Sequence, residues 1–123
     1  MKLRIKGDSI RLRLSQGEIG ELAAAGSVED GTRFGGGRAL RYRLAVDRAA
    51  TAISASFVDG VIEVCLPAGA ARQWYETDLV SLSASQPLSD GPLRILIEKD
   101  YACLTSREGE DESDNFPNPA AHC

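Results

Sequence analysis

The chain has 123 residues, of which 43% are hydrophobic, a size and composition that suit a single domain with one core. No segment approaches the roughly 20 consecutive apolar residues of a membrane span, and the first residues lack the apolar segment of a secretory signal. The three cysteines are irregularly spaced and form no disulfide framework. We therefore predict a cytoplasmic protein without a membrane partner, and a net charge of −4 does not favour nucleic acid as a partner.

Residues 2–14 predict a β-hairpin. Gly7-Asp8 suits a two-residue type II′ turn, in which glycine takes the first central position. This turn would place Arg4 opposite Arg11 and Lys2 opposite Arg13, with the apolar residues of both strands on the other face.

The hairpin is followed by signals for one helix. Ser15 and Glu18 have the spacing of a capping box, and Gly26 is the residue type that most readily ends a helix in the left-handed conformation. These signals predict a helix over residues 16–25 whose buried stripe is formed by Ile19, Leu22 and Ala23.

The middle of the chain predicts strands. After a short strand around residues 32–34, three consecutive glycines at 35–37 are interpreted as a turn, because a phosphate loop would need a helix after it and an alternating segment follows instead. The alternation and a type I′ turn signal at Asp59-Gly60 predict a three-stranded meander at residues 39–46, 51–58 and 61–66.

The last third of the chain is less regular. Residues 68–75 suit a short helix or turn that buries Trp74, residues 79–83 and 93–99 predict strands, and residues 86–92 predict a loop. The expected fold is α+β and mainly antiparallel β: a curved sheet or small barrel with one helix at about 16–25. Residues 1–105 would form a single β-rich domain, and residues 106–123 an irregular, acidic tail containing Pro and Asn.

The main candidate site is a cationic sheet face. Residues 1–48 contain 10 Lys and Arg against 6 Asp and Glu, whereas residues 98–123 contain 2 against 7. Like charges opposite each other on a hairpin are destabilising by roughly 0.2 to 1 kcal/mol per pair, so we expect an anion across them, either a small phosphate- or carboxylate-bearing molecule or an acidic protein segment. Tyr42 alternates with Arg41 and Arg43 and therefore lies on the opposite face, so no aromatic residue interleaves with the cations on this face, which argues against single-stranded nucleic acid. The candidate anion-binding residues are Lys2, Arg4, Lys6, Arg11, Arg13, Arg41 and Arg43, joined by Arg94 if the sheet curves around.

An enzyme is the first alternative. A barrel lined by these cations would resemble the triphosphate-tunnel enzymes, in which strand Arg and Lys bind phosphate and strand Glu residues hold a divalent metal. Glu63 and Glu98 are the candidates for that role. The alternating-glutamate motif of those enzymes is missing, because the first strand carries Lys2, Arg4 and Lys6 instead. A small binding or interaction protein without catalytic residues is therefore the preferred prediction.

A metal-binding protein is the second alternative. Cys103, His122 and Cys123 supply two thiols and one imidazole, the ligand types that suit zinc. No paired CxxC accompanies them, and adjacent His and Cys side chains rarely reach one ion. Zinc is thus the one cofactor that these residues suggest.

Three segments carry a resemblance to a known family. The chain contains MKLRIKGDSIRLRL, then LRILIEKDYACL, then EDESDNFPNP. These segments resemble a family of small, functionally uncharacterised bacterial proteins of about this length, and the resemblance spans the whole chain. It implies no catalytic residues. It also implies that the acidic tail belongs to the domain and docks on it, with its carboxylates near the basic face.

Overall fold

The computed structural model describes residues 1–101, which form eight strands and two helices. The predictions for the tail and for Cys103, His122 and Cys123 lie outside these residues. The elements in chain order are β1 (Lys2–Ile5), β2 (Ser9–Leu14), α1 (Gln16–Ala25), β3 (Ser27–Gly35), β4 (Arg38–Asp47), β5 (Ser54–Val58), β6 (Val61–Pro67), α2 (Ala68–Glu76), β7 (Ser81–Leu88) and β8 (Gly91–Lys99).

The strands form two four-stranded sheets. Sheet A has the order β1-β2-β8-β7 and sheet B the order β3-β4-β6-β5. Each sheet consists of two antiparallel hairpins whose second strands pair in parallel, β2 with β8 and β4 with β6. The predicted α+β, mainly antiparallel class is confirmed. The barrel alternative is wrong for residues 1–101, which form two sheets and no closed barrel, and α2 adds a second helix.

The chain is organised as an internal repeat. Residues 2–47 and residues 54–99 both run hairpin, helix, hairpin, and each half contributes one hairpin to each sheet. Equivalent strands have related sequences, for example Leu-Arg-Tyr-Arg-Leu at 40–44 in β4 and Leu-Arg-Ile-Leu-Ile at 93–97 in β8. Strands β1, β2, β7 and β8 of sheet A therefore correspond to β5, β6, β3 and β4 of sheet B.

The first hairpin and the first helix are confirmed. Lys2 pairs with Arg13 and Arg4 with Arg11, as the turn at Gly7 predicts. Helix α1 covers residues 16–25, its capping box is formed on both sides, and it ends at Gly26 with a left-handed φ of 84°. Leu22 is buried and Ile19 packs against the core, but the prediction for Ala23 is wrong, because this residue is exposed.

The predicted meander is wrong. Strand β6, not β5, lies beside β4, and the two run parallel. The turn at Asp59-Gly60 is confirmed, with φ values of 52° and 77°. It joins β5 to β6, but β5 is an edge strand, because the hairpins of sheet B meet through their second strands. The Asp59-Gly60 turn determines only that β5 pairs with β6. Which of these two strands lies beside β4 depends on the neighbouring hairpin of sheet B.

Other strand boundaries also differ from the predictions. Strand β3 begins at Ser27, well before the predicted 32–34, and the predicted loop at 86–92 is largely strand. Pro87 and Pro92 lie opposite each other in the β7–β8 hairpin. Proline is tolerated there because β7 is an edge strand and Pro92 stands near the start of β8.

One core joins both sheets and both helices. Trp74 of α2 is fully buried, as predicted, and its indole N–H donates to the Val80 carbonyl at 3.0 Å. Where β5 and β7 approach each other, the side-chain amide of Gln86 accepts from the Ala55 N–H at 2.6 Å and donates to the Ala55 carbonyl at 3.1 Å. No helix within residues 1–101 is both long and apolar enough to cross a membrane. The fully buried core residues of the sheets and of α1 are Leu12, Leu14, Leu22, Leu44, Val64, Leu66, Ile95 and Ile97.

Candidate anion-binding face

The outward face of sheet A follows from strand alternation. Leu12 and Leu14 of β2 are buried in the core, so Arg11 and Arg13 lie on the opposite face. The same alternation and the strand registers continue this face across β1, β8 and β7. Its three rows are Lys2, Arg13, Glu98 and Ser81; Arg4, Arg11, Leu96 and Ser83; and Lys6, Ser9, Arg94 and Ser85. We call this surface the basic face.

One end of the basic face contains its own carboxylates. The Nε of Arg13 donates to Glu98 Oε1, and Arg11 Nε lies 3.8 Å from the same oxygen. The side chains of Arg11, Arg13 and Glu98 are only 15%, 14% and 16% exposed. Lys2 Nζ lies 2.8 Å from Asp100 Oδ2 at the same end. These pairs offset much of the positive charge of the first row.

The other end of the basic face is a depression of about 640 Å³. No Asp or Glu of residues 1–101 lines it. Guanidinium forks, an ammonium and hydroxyls are the donor groups that proteins use to bind phosphate oxygens. The side chains of the basic face that line the depression are Arg4, Lys6, Ser9, Arg11, Ser83, Ser85, Arg94 and Leu96.

Local hydrogen bonds hold the cationic rim of the depression in place. The Lys6 N–H donates to the Ser9 carbonyl at 3.2 Å, and the Ser9 hydroxyl donates to the Lys6 carbonyl at 2.6 Å. The Arg94 N–H donates to the Asp8 carbonyl at 2.9 Å. These bonds fasten β8 to the β1–β2 turn, so Arg94 lies beside cations that are more than 80 residues away in sequence.

Arg41 and Arg43 are not part of this cluster. Both belong to β4 in sheet B, whereas the other predicted anion-binding residues belong to sheet A or, for Lys6, to the turn between β1 and β2. Arg43 Nη1 donates to Glu63 Oε2 at 2.5 Å from the directly adjacent strand, without the intervening strand that we predicted. Glu29 stands opposite Arg43 on the other side. The outward face of sheet B is therefore mixed in charge where the equivalent part of sheet A is basic.

The serines of β7 are the part of the site that sequence reasoning missed. Ser81, Ser83 and Ser85 occupy alternate positions, which is the available signal that all three share one face. Strands β7 and β8 are consecutive and form a hairpin, but no local pattern shows that β8 also pairs with β2, and this parallel pairing brings Ser83 and Ser85 to the cations.

A family model matches residues 1–120. The chain belongs to DUF7009, a family of unknown function. This confirms the predicted membership of a functionally uncharacterised family. Comparisons of this DUF7009 chain with curated proteins and with solved structures found no match. The chemistry of the site is therefore the basis for the function proposed below.

The structure describes the candidate residues of only one of the two metal alternatives in this DUF7009 member. The zinc candidates Cys103, His122 and Cys123 lie outside the described residues, and residues 1–101 contain no group of three or more His, Cys, Asp or Glu that could hold a metal ion. Glu63 and Glu98, the candidate ligands of the tunnel-enzyme alternative, belong to different sheets. Each of them is bonded to an arginine of the neighbouring parallel strand.

Cys65 lies on the outward face of sheet B, next to this ion pair. Its thiol donates to Glu63 Oε1 at 3.5 Å. Burial raises the pKa of the Cys65 thiol, and the Glu63 carboxylate raises this pKa further. Cys65 is therefore held as a neutral thiol, which is a weak nucleophile.

Proposed function

We propose that this protein binds a phosphate-bearing small molecule in the depression of the basic face. The observation that supports this most strongly is the convergence of Arg4, Lys6, Arg11 and Arg94 with serine hydroxyls around one depression. Its volume of about 640 Å³ falls within the range of roughly 300 to 1,000 Å³ typical of small-molecule sites. The cytoplasmic location that we predict from the sequence fits such a ligand.

The arrangement of the cations supports an anionic ligand on energetic grounds. Arg4 and Arg11 are directly opposite each other on neighbouring strands, a like-charge pairing that is unfavourable by roughly 0.2 to 1 kcal/mol, and the Glu98 carboxylate, 3.8 Å from Arg11 Nε, offsets part of it. A phosphate dianion placed between guanidinium groups offsets this repulsion and accepts charge-assisted hydrogen bonds from both. Phosphate is favoured over a single carboxylate because it presents more acceptor oxygens to the several donors of the site.

The chemistry of the depression supports binding rather than hydrolysis. A general base or an activated nucleophile needs a carboxylate, imidazole or thiolate within hydrogen-bond reach of the reacting group. The lining side chains of residues 1–101 supply cations, hydroxyls and apolar groups only. The function that these residues support best is that of a small binding protein.

Thermal unfolding with inorganic triphosphate, without divalent metal and at constant ionic strength, tests this proposal. A ligand that binds only the folded chain raises the Tm by an amount that grows with the logarithm of its concentration. We expect this rise in the wild type and its loss in the double variant Arg4→Gln/Arg94→Gln. Arg41→Gln is the matched control, because Arg41 is the sheet B equivalent of Arg94. An equal rise in the double variant would overturn the proposal.

The acidic residues of the chain itself are the second candidate occupant. The observation that favours them is the charge distribution: residues 98–123 carry 7 acidic against 2 basic residues. Replacing the acidic residues of the tail by Gln or Asn in the full chain should tighten triphosphate binding at low salt, and salt should reduce the difference. An unchanged Kd at low salt would exclude them as occupants. The residues to be replaced are Glu108, Glu110, Asp111, Glu112 and Asp114.

A further inference from the structure

The depression has two sides of different chemistry. Its cationic side is formed by β1, β2 and Arg94, whereas its β7 side presents Ser83 and Ser85. Strand β7 contains no Lys or Arg along its whole length. Leu96, half-buried between Arg11 and Ser83, forms an apolar strip between the two sides.

The width of the sheet separates the two sides. Neighbouring strands lie about 4.8 Å apart, so the backbones of β1 and β7, the two edge strands of sheet A, are separated by roughly 14 Å. One phosphate group bound between Arg4 and Arg11 therefore leaves the serine side uncovered. In the row of Arg4 and Arg11, a linear inorganic oligophosphate that extended toward β7 would meet the Leu96 side chain and the Ser83 hydroxyl, whereas in the next row Arg94 lies beside Ser85.

A sugar phosphate matches both sides at once. Serine hydroxyls donate and accept hydrogen bonds, as sugar hydroxyls do, and an aliphatic side chain packs well against the C–H face of a sugar ring. From this division we infer that the ligand is a sugar phosphate. Its phosphate is bound by Arg4, Arg11 and Arg94, and its ring lies over Leu96 against Ser83 and Ser85. This inference rests on the proposed phosphate-binding function.

Affinities for ribose 5-phosphate, inorganic phosphate and ribose, measured by isothermal titration calorimetry on the full chain, test the inference. We expect ribose 5-phosphate to bind at least about tenfold more tightly than inorganic phosphate, and ribose alone to give no measurable heat. Ser83→Ala/Ser85→Ala should weaken ribose 5-phosphate about tenfold, the loss expected for two hydrogen bonds, and leave inorganic phosphate unchanged.

Matched variants separate the contribution of these serines from a general effect on the sheet. Ser54→Ala/Ser56→Ala alters two exposed serines of the edge strand β5 in sheet B and should leave both affinities unchanged. Leu96→Ser removes the apolar strip and should weaken ribose 5-phosphate selectively. Variants that bind inorganic phosphate like the wild type are thereby shown to be folded.

The outcomes distinguish the sugar inference from the proposed function. If ribose 5-phosphate and inorganic phosphate bind equally and both are lost in Arg4→Gln/Arg94→Gln, the sugar assignment is wrong and phosphate binding stands. If Ser83→Ala/Ser85→Ala weakens both ligands alike, the serines bind the phosphate itself and the assignment is again overturned. If neither ligand binds the wild type, the proposed function fails as well.

Discussion

Glu98 is the carboxylate within residues 1–101 that contacts two arginines of the basic face. It bonds to Arg13 and lies 3.8 Å from the Nε of Arg11, so one carboxylate serves two guanidinium groups. The substitution Glu98→Gln retains the shape of the side chain and removes its charge. Arg11 and Arg13 would then face each other's positive charge on the same strand without this carboxylate.

The structure allows the cost of this substitution to be bounded. Removing one partner of a fully buried ion pair costs about 3 to 5 kcal/mol, whereas exposed pairs contribute about 0 to 1 kcal/mol. Because Glu98 and its two arginines are largely but not completely buried, we expect Glu98→Gln to lower the free energy of unfolding by about 2 kcal/mol. The effect should shrink at 1 M NaCl, where charge interactions are screened.

The internal repeat provides a matched control in Glu63→Gln. Glu63 also bridges to an arginine across the central parallel pair of its sheet, but Arg43 and Glu63 are 39% and 34% exposed, so the loss should stay below about 1 kcal/mol. Urea unfolding followed by the fluorescence of Trp74, the single tryptophan, measures both variants. Equal losses, or a neutral Glu98→Gln, would refute the argument that burial of the bridge determines its contribution.

Three further perturbations test other parts of the structure. Glu18→Gln should lower stability by about 1 kcal/mol in urea unfolding, because the amide can preserve the helix cap but loses the charge that pairs with the Met1 ammonium group. Gln86→Glu should destabilise by about 1 to 3 kcal/mol, since a carboxylate cannot donate to the Ala55 carbonyl; a Tm equal to that of the wild type would show that this bridge is dispensable. Cys65 should be alkylated more slowly in the folded than in the unfolded chain at pH 8, as measured by peptide mass spectrometry. Equal alkylation rates in the folded and unfolded chain would contradict the raised pKa of Cys65. This raised pKa also means that the free energy of unfolding falls as pH rises through the ordinary cysteine pKa, because the thiol of the unfolded chain ionises first.

Local signals account for the parts of the fold that could be predicted. The turn at Gly7, the capping box at Ser15 and the turn at Asp59-Gly60 involve residues within a few positions of one another, so the hairpin registers and the bounds of α1 follow from sequence. These registers were sufficient to place Arg4 and Arg11 on one face.

The remainder depends on contacts between distant segments. The parallel pairing of β2 with β8 joins Ser9 to Arg94, and no local pattern specifies which hairpin meets which. This pairing brings Arg94 and the β7 serines to the basic face. In sheet B, the equivalent pairing of β4 with β6 places Arg43 beside Glu63, away from the basic face. The positive charge of the candidate site could therefore be predicted from the sequence, but the residues that form the site could be predicted only in part.

The most direct test of phosphate binding in the depression is a nuclear magnetic resonance titration. Backbone amide shifts of the full chain are followed while inorganic phosphate, and separately ribose 5-phosphate, is added at constant ionic strength. Binding in the depression predicts saturable shifts centred on Arg4, Arg11 and Arg94, with Ser83 and Ser85 responding to ribose 5-phosphate alone. Shifts centred on sheet B, or none that saturate, would contradict the account.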